Sequence, residues 1–174
     1  DGLETAVSGD EAGGTTAANY NGGLGTDKAC HMKQAADLVL AMAPQQVFAL
    51  GDLQYNSGSA ADFAVSYQNS WGRFKAITRP VVGNHEYGTS GAAGYFGYFG
   101  SRAGSTGQPY YSYDLGTWHL IALNGECAYV HGCGQGLAEE RWLANDLATH
   151  HNPSTLSSWP EPRLTSGTPG LEPP

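Results

Sequence analysis

An α/β layered domain is the fold class predicted for this chain, and three observations predict it. Gln46-Val47-Phe48-Ala49-Leu50 and Ile77-Thr78-Arg79-Pro80-Val81-Val82 are short apolar runs, each ending at a glycine. Each run follows a stretch with helical spacing, so the chain alternates helix and strand in the way that builds a parallel sheet. At 174 residues the chain is long enough to bury a sizeable core and matches the size of one domain.

The elements can be justified in order. Residues 1–26 are rich in Gly, Ala, Thr and Asn, and only residues 3–8 read as a strand. Thr26 or Asp27 is suited to cap a helix over 28–42, with Ala29, Met32, Ala36, Leu38 and Val39 as its apolar face and Pro44 as its stop. The nearly unbroken apolar strand 46–50 is the pattern of a sheet covered on both faces. A second helix is predicted over 60–75, with Phe63, Val65, Tyr67, Trp71 and Phe74 supplying bulk, followed by strand 77–82. Residues 87–109 read as a loop with an aromatic cluster at Tyr95, Phe96, Tyr98 and Phe99. Strands 110–115 and 118–124, joined through Gly116-Thr117, have the signature of a hairpin. A helix over 137–149 packs Leu137, Trp142, Leu143 and Leu147, and 155–159 reads as one more strand. Residues 160–174 hold five prolines without apolar periodicity, which predicts a disordered tail after a domain spanning 1–159.

Charge and composition exclude several functions. The formal net charge is −8, and the eight Lys and Arg residues are scattered. A nucleic-acid surface needs a basic patch to neutralise backbone phosphates, so no nucleic-acid partner is expected. No apolar run is long enough to cross a bilayer, so no membrane partner is expected either. Cys127 and Cys133 flank a short Gly-containing loop and can close a small disulfide, while Cys30 reads as a buried thiol in a helical pattern. Few lysines, many small polar residues and no basic, apolar leader suit a mature, secreted chain.

Chemistry concentrates in three segments: Ser8-Gly9-Asp10, Gly51-Asp52-Leu53-Gln54-Tyr55 and Gly83-Asn84-His85-Glu86. Asp52 follows Asp10 by 42 residues, and Asn84 follows Asp52 by 32, intervals that each suit one crossover and a strand. Three neighbouring parallel strands would then deliver these side chains to one rim, where open parallel sheets bind ligands. The glycines allow close backbone approach. An Asp carboxylate can bridge two cations, an Asn amide oxygen can bind one, and a phenolate suits a hard trivalent iron.

This combination resembles the calcineurin-like metallophosphoesterase family, closest in motif to purple acid phosphatases and their secreted bacterial relatives, over roughly residues 5–159. The resemblance implies a layered β-sandwich flanked by helices and a small phosphorylated substrate. It also implies phosphate monoester hydrolysis by metal-activated water. By that likeness Asp10 holds a first metal, Asp52 bridges two, Tyr55 binds the first and Asn84 the second. His85 would be the catalytic donor to the leaving group or the substrate oxygens, and Glu86 would orient His85 or the turn. Iron paired with zinc, manganese or iron is the implied metal content.

The chain also departs from the family pattern. No Gly-His-x-His pair occurs, and Pro160-Glu161-Pro162 stands where the family shows His and Pro after a strand. His31, His119, His131 and His150-His151 do not match the family spacing; His119 reads as a core or surface residue and His150-His151 as a helix C-cap. The incomplete ligand set predicts weak or absent metal occupancy and impaired hydrolysis. A fold truncated in its second half is expected, with an exposed sheet surface open to self-association. The alternative reading is a non-catalytic α/β binding domain using the aromatic segment 95–113.

Overall fold

Three parallel strands carry the motif segments. The computed structural model describes residues 5–8, 17–27 and 30–161. Strands β1 (Thr5–Ser8), β2 (Gln46–Leu50) and β3 (Thr78–Val81) lie in the order β1-β2-β3. Thr5 pairs with Gln46, Val47 with Thr78, and Leu50 with Val81. Parallel neighbours require crossover connections, and helical segments between the strands supply them. β2 is the central strand, and its Gln46, Val47, Phe48 and Ala49 are buried, as its unbroken apolar run requires. Pro80 cannot donate to a ladder, and it sits on β3 at the edge of this sheet.

The first crossover helices are α1 (Ala17–Tyr20) and α2 (Met32–Met42). α2 starts four residues later than its apolar spacing suggests, because Cys30 has φ +64 and lies outside the helix, although it is buried as expected. Met32 and Ala36 face the core with Ala35 and Val39 beside them, whereas Leu38, expected on that face, is exposed. Ala43 ends the helix in the left-handed region, just before Pro44.

The helix expected over 60–75 is not continuous. It begins as α3 (Ala60–Asp62), capped by the Ser59 hydroxyl, which accepts from the Asp62 amide at 3.1 Å. It widens into a π-helical turn at Phe63–Tyr67 and resumes as a 3-10 helix at Trp71–Ile77. Ser66 and Ser70 account for the break: their hydroxyls donate to the carbonyls of Asp62 and Ser66 and compete with the regular helical ladder. The result turns Phe63, Tyr67, Trp71 and Phe74 into the core together.

Residues expected to form an aromatic loop instead contain α4 (Ala93–Phe99). Gly94 permits it, because a Cβ there would overlap the Gly58 carbonyl oxygen. Tyr95 and Phe99 are 1% and 3% exposed; Phe99 packs edge-on against the Phe63 and Tyr67 rings and Tyr95 tilts onto Phe99, so these two rings of the aromatic segment belong to the core.

The second sheet is β4 (Tyr111–Leu115), β5 (Trp118–Ala122) and β6 (Ser154–Ser158) in that order. β4 and β5 form the expected antiparallel hairpin, with Leu115 opposite Trp118 and Gly116 at φ +59 in the turn. α5 (Ala138–Thr149) crosses over so that β6 runs parallel to β5. Its packed face differs from expectation: Glu139 and Asp146 are buried, while Leu137 and Leu147 are exposed. Polar partners on the sheet explain the inversion, since Asn124 N–H donates to Glu139, and Ser112 and His119 engage Asp146. The second sheet is thus built, among the described residues, from the three strands expected over 110–115, 118–124 and 155–159.

The architecture is thus mixed α/β, with two small sheets and several helices among the described residues. The Tyr111 hydroxyl of β4 donates to the Pro80 carbonyl of β3 at 2.8 Å and ties one sheet to the other. Phe48 and Leu50 of β2 share an apolar cavity of about 380 Å³ with Leu156 and Trp159, which are exposed. Cys127 and Cys133 form the expected disulfide, with Cα atoms 5.1 Å apart. Among the described residues no helix is long and apolar enough to cross a membrane. Asp10 and residues 162–174 lie outside the described residues.

Phe63 gives a direct test of this core. Phe63→Ala removes a ring that touches Tyr67, Tyr98 and Phe99 and is expected to lower unfolding free energy by about 3–5 kcal/mol. Denaturant titration followed by tryptophan fluorescence measures the loss.

Candidate metal centre

The loops after β2 and β3 are held together by one carboxylate. Glu86 is fully buried, and its Oε1 accepts from the amides of Leu53 at 2.8 Å and Gln54 at 3.0 Å. Its Oε2 accepts from the amides of Asp52 at 3.0 Å and Gly83 at 2.9 Å. Burial pushes the Glu86 carboxyl up to about 7, opposed by the amides of Gly83, Gln54 and Leu53, with the Asp52 charge adding to the rise. The role expected for Glu86, orienting His85 or the turn, is therefore a wider one: it orders both loops. Gln54, also fully buried, adds a tie to the neighbouring π turn by accepting from the Ser66 hydroxyl at 2.8 Å.

Asp52 emerges from this scaffold at φ +51, in the left-handed region that costs a non-glycine residue about 1–3 kcal/mol. Gly83 allows the approach, since a Cβ there would overlap the Asp52 amide nitrogen and Oδ1. Around Asp52 gather three of the sequence-predicted residues. Tyr55 Oη lies 3.3 Å from Asp52 Oδ2, and the His85 backbone amide donates to Oδ1 at 3.1 Å. The Asn84 side-chain amide faces both Asp52 oxygens, and with its nitrogen turned toward them it donates to each at 3.1 Å. Turned over, the same amide would point its oxygen at both carboxylate oxygens, a grouping of acceptors that is stable only around a cation. The donor set is made of carboxylate, amide and phenol oxygens, and it fits a hard metal ion.

His85 stands beside this oxygen cluster. Its ring centroid is 4.0 Å from that of Tyr55, and its Nδ1 lies 2.8 Å from the Asn56 carbonyl. A carbonyl can only accept, so Nδ1 carries the hydrogen and Nε2 remains for chemistry. Two carboxylates that sequence reasoning did not assign also approach. Burial, Glu161 and Asp52 together push Glu126 up to about 7, so these three acids share one electrostatic neighbourhood. Pro160 packs where a Cβ on Gly51 would sit, which brings the 160–161 turn beside Asp52.

A second group lies on the other sheet. Asp114, His119 and His150 each offer a ligand atom, and these atoms lie within 4.8 Å of one another, so the three could hold a metal ion. His119, assigned from sequence to a core or surface role, is fully buried, with Nδ1 2.8 Å from Asp114 and Nε2 2.6 Å from Asp146. Burial lowers the His119 pKa, but the hydrogen bonds to Asp146 and Asp114 outweigh it and the net shift is upward. His150 caps α5 as expected, with Nδ1 2.8 Å from the Asp146 carbonyl, and its ring stacks on His119 at 4.0 Å.

The fold is similar to that of a purple acid phosphatase isolated from yellow lupin (Lupinus luteus) seeds. The TM-score is 0.56 at 14% identity, and the likeness covers 89% of this chain and 29% of the plant enzyme. No family model matches the chain, and no curated protein matches its sequence. The observations therefore show a fold like that of a purple acid phosphatase, together with a cluster of Asp114, His119 and His150 that could hold a metal ion.

Two outcomes follow from the two sites. Glu86→Gln places an amide NH₂ against backbone N–H donors and leaves buried groups unsatisfied, so stability is expected to fall by about 3 kcal/mol in denaturant unfolding. For His119 the folded pKa lies above its unfolded value of 6.5. Its contribution is then fully present below the unfolded pKa and is lost as pH rises through the folded one. The stability advantage of the wild-type chain over His119→Asn should therefore shrink as pH is raised from about 6 to about 8 in parallel denaturation curves.

Proposed function

We propose that this chain is a metal-dependent phosphoesterase that hydrolyses small phosphate monoesters. The observation that carries the reading is the convergence of Asp52, Tyr55, Asn84 and His85 on one rim of a parallel sheet, clamped by Glu86. In the reading, Asp52 and Asn84 hold metal through carboxylate and amide oxygens, and Tyr55 adds a phenolate suited to Fe(III). Asp10 is assigned as a further ligand on its motif alone. Metal ions held there would bind phosphoryl oxygens, lower the pKa of a water molecule and offset charge in the transition state. His85, as the imidazolium, donates the Nε2 proton to the leaving-group oxygen or to the substrate oxygens and is left as the Nδ1–H neutral ring, oriented by its Nδ1 bond to Asn56.

Glu126 and Glu161 bear on the strength of the site. A cation held beside Asp52 would favour the ionised form of Glu126, which burial and its acidic neighbours otherwise disfavour, and with Glu161 it would partly offset the missing histidines. The Cys127–Cys133 disulfide supports an oxidising, extracytoplasmic location. Self-association belongs to the same reading, with the outer edge of β6 and the exposed Leu156 and Trp159 as the surface.

Protein loaded with iron, manganese or zinc should hydrolyse an aryl phosphate, and chelation should abolish turnover. Asp52→Asn is expected to lose both bound metal and turnover. His85→Ala should retain metal while kcat falls by about 10²- to 10⁴-fold. Iron-loaded protein should show a visible charge-transfer band that disappears in Tyr55→Phe. Turnover indifferent to both chelation and Asp52→Asn would overturn the proposal.

A further inference from the structure

A polar cavity of about 370 Å³ opens where β3 meets the second sheet. Arg79 of β3, Ser101 and Arg102 of the 3-10 turn Gly100–Ala103, and Tyr111, Ser112 and Tyr113 of β4 line it. None of these residues belongs to the candidate metal centre or to the His119 network, apart from the Ser112 hydroxyl, which donates to Asp146.

The chemistry of the cavity is cationic in an acidic protein. The chain carries a formal charge of −8, yet among the described residues neither Arg79 nor Arg102 makes an ion pair with a carboxylate. Both guanidinium charges act on the Tyr111 phenol and oppose the upward push of its burial, so both lie near one ring. The Arg79 guanidinium carbon sits 4.4 Å from the centroid of the Tyr113 ring, a contact that holds the cation in place. Tyr111 is committed elsewhere through its bond to the Pro80 carbonyl.

Polar atoms at this place lack regular partners. Arg79 Nε is buried with no hydrogen-bond partner. The buried Tyr113 Oη has no partner of regular hydrogen-bond geometry, and its phenol lies against the Arg79 guanidinium, whose charge and side-chain hydrogen bonding oppose the upward push of its burial. Buried donors are almost always paired, so orphaned donors in a cavity wall signal a ligand that accepts. One guanidinium suffices for a planar carboxylate, whereas two guanidiniums with the Ser101 and Tyr113 hydroxyls suit an oxyanion with more acceptors.

We propose that this cavity is a binding site for a phosphate-type oxyanion, either inorganic or the head of a small organic phosphate, held by Arg79 and Arg102. Its volume falls within the range of small-molecule sites and exceeds what a bare oxyanion fills. The site does not depend on metal or on hydrolysis.

Isothermal titration of the whole chain with inorganic phosphate, phenylphosphonate and acetate tests it. Phosphate should bind saturably to the wild-type chain and, with the same affinity at this site, to Asp52→Asn, which removes the carboxylate of the candidate metal centre. Arg102→Gln and Arg79→Gln are each expected to weaken binding by about tenfold or more. Arg102 lies on a turn and half exposed, so its variant keeps the test meaningful even where Arg79→Gln perturbs folding. Tighter binding of phenylphosphonate than of phosphate identifies an organic phosphate as the occupant, and the reverse order identifies the inorganic ion. The proposal falls if saturable binding is missing, if acetate binds as well as phosphate, or if Arg102→Gln binds phosphate like the wild-type chain. Loss of turnover in Asp52→Asn reports on the hydrolase reading alone.

Discussion

Everything at the candidate metal centre depends on a buried carboxylate that accepts backbone amides from two loops. Glu86 receives N–H groups from Asp52, Leu53, Gln54 and Gly83, which belong to the loops that follow β2 and β3. Each loop alone would be a flexible glycine-containing turn. Bonded to one side chain, they move as a unit, and the burial that makes Glu86 costly to ionise also makes its hydrogen bonds hard to replace. The left-handed backbone of Asp52 is maintained by the same contacts. A side chain three residues from Gly83 thus converts two strand ends into a rigid rim.

Polar networks organise the second sheet in a comparable way. α5 turns Glu139 and Asp146 inward, where they meet Asn124, Ser112 and His119, and leaves two leucines outside. His119 bridges Asp114 and Asp146, and His150 stacks on its open face. Such a network is demanding, since each member must remain satisfied, but it sets one register of helix on sheet. The first sheet relies instead on apolar contact, with the rings of Phe63, Tyr67 and Phe99 packed edge to face and Tyr95 tilted onto Phe99. The two halves of the fold are therefore stabilised by different physics, joined where Tyr111 reaches Pro80.

Much of the fold was legible along the chain. β2, β3, the β4–β5 hairpin, α5 and β6 lie close to where apolar periodicity and turn residues put them, because those signals are local. The errors have local causes as well. Serine hydroxyls broke the helix expected over 60–75, and α4 formed in a glycine-rich stretch because its aromatic rings found partners in the core. The face of α5 could not be read from its leucines, since the buried acids matched hydrogen-bond donors far away in sequence.

The candidate site shows the same division. By itself the sequence determined the residue types and their delivery: a carboxylate, a phenol, an amide and an imidazole, placed after strands that short crossovers force to be neighbours. Only the tertiary structure decided the distances among them, the clamp by Glu86, the approach of Glu126 and the pairing of Arg79 with Tyr113. Strand and turn preferences act over a few residues and survive in a linear reading. Desolvation and charge coupling arise between residues that share space and not sequence, so they exist only once the chain has folded.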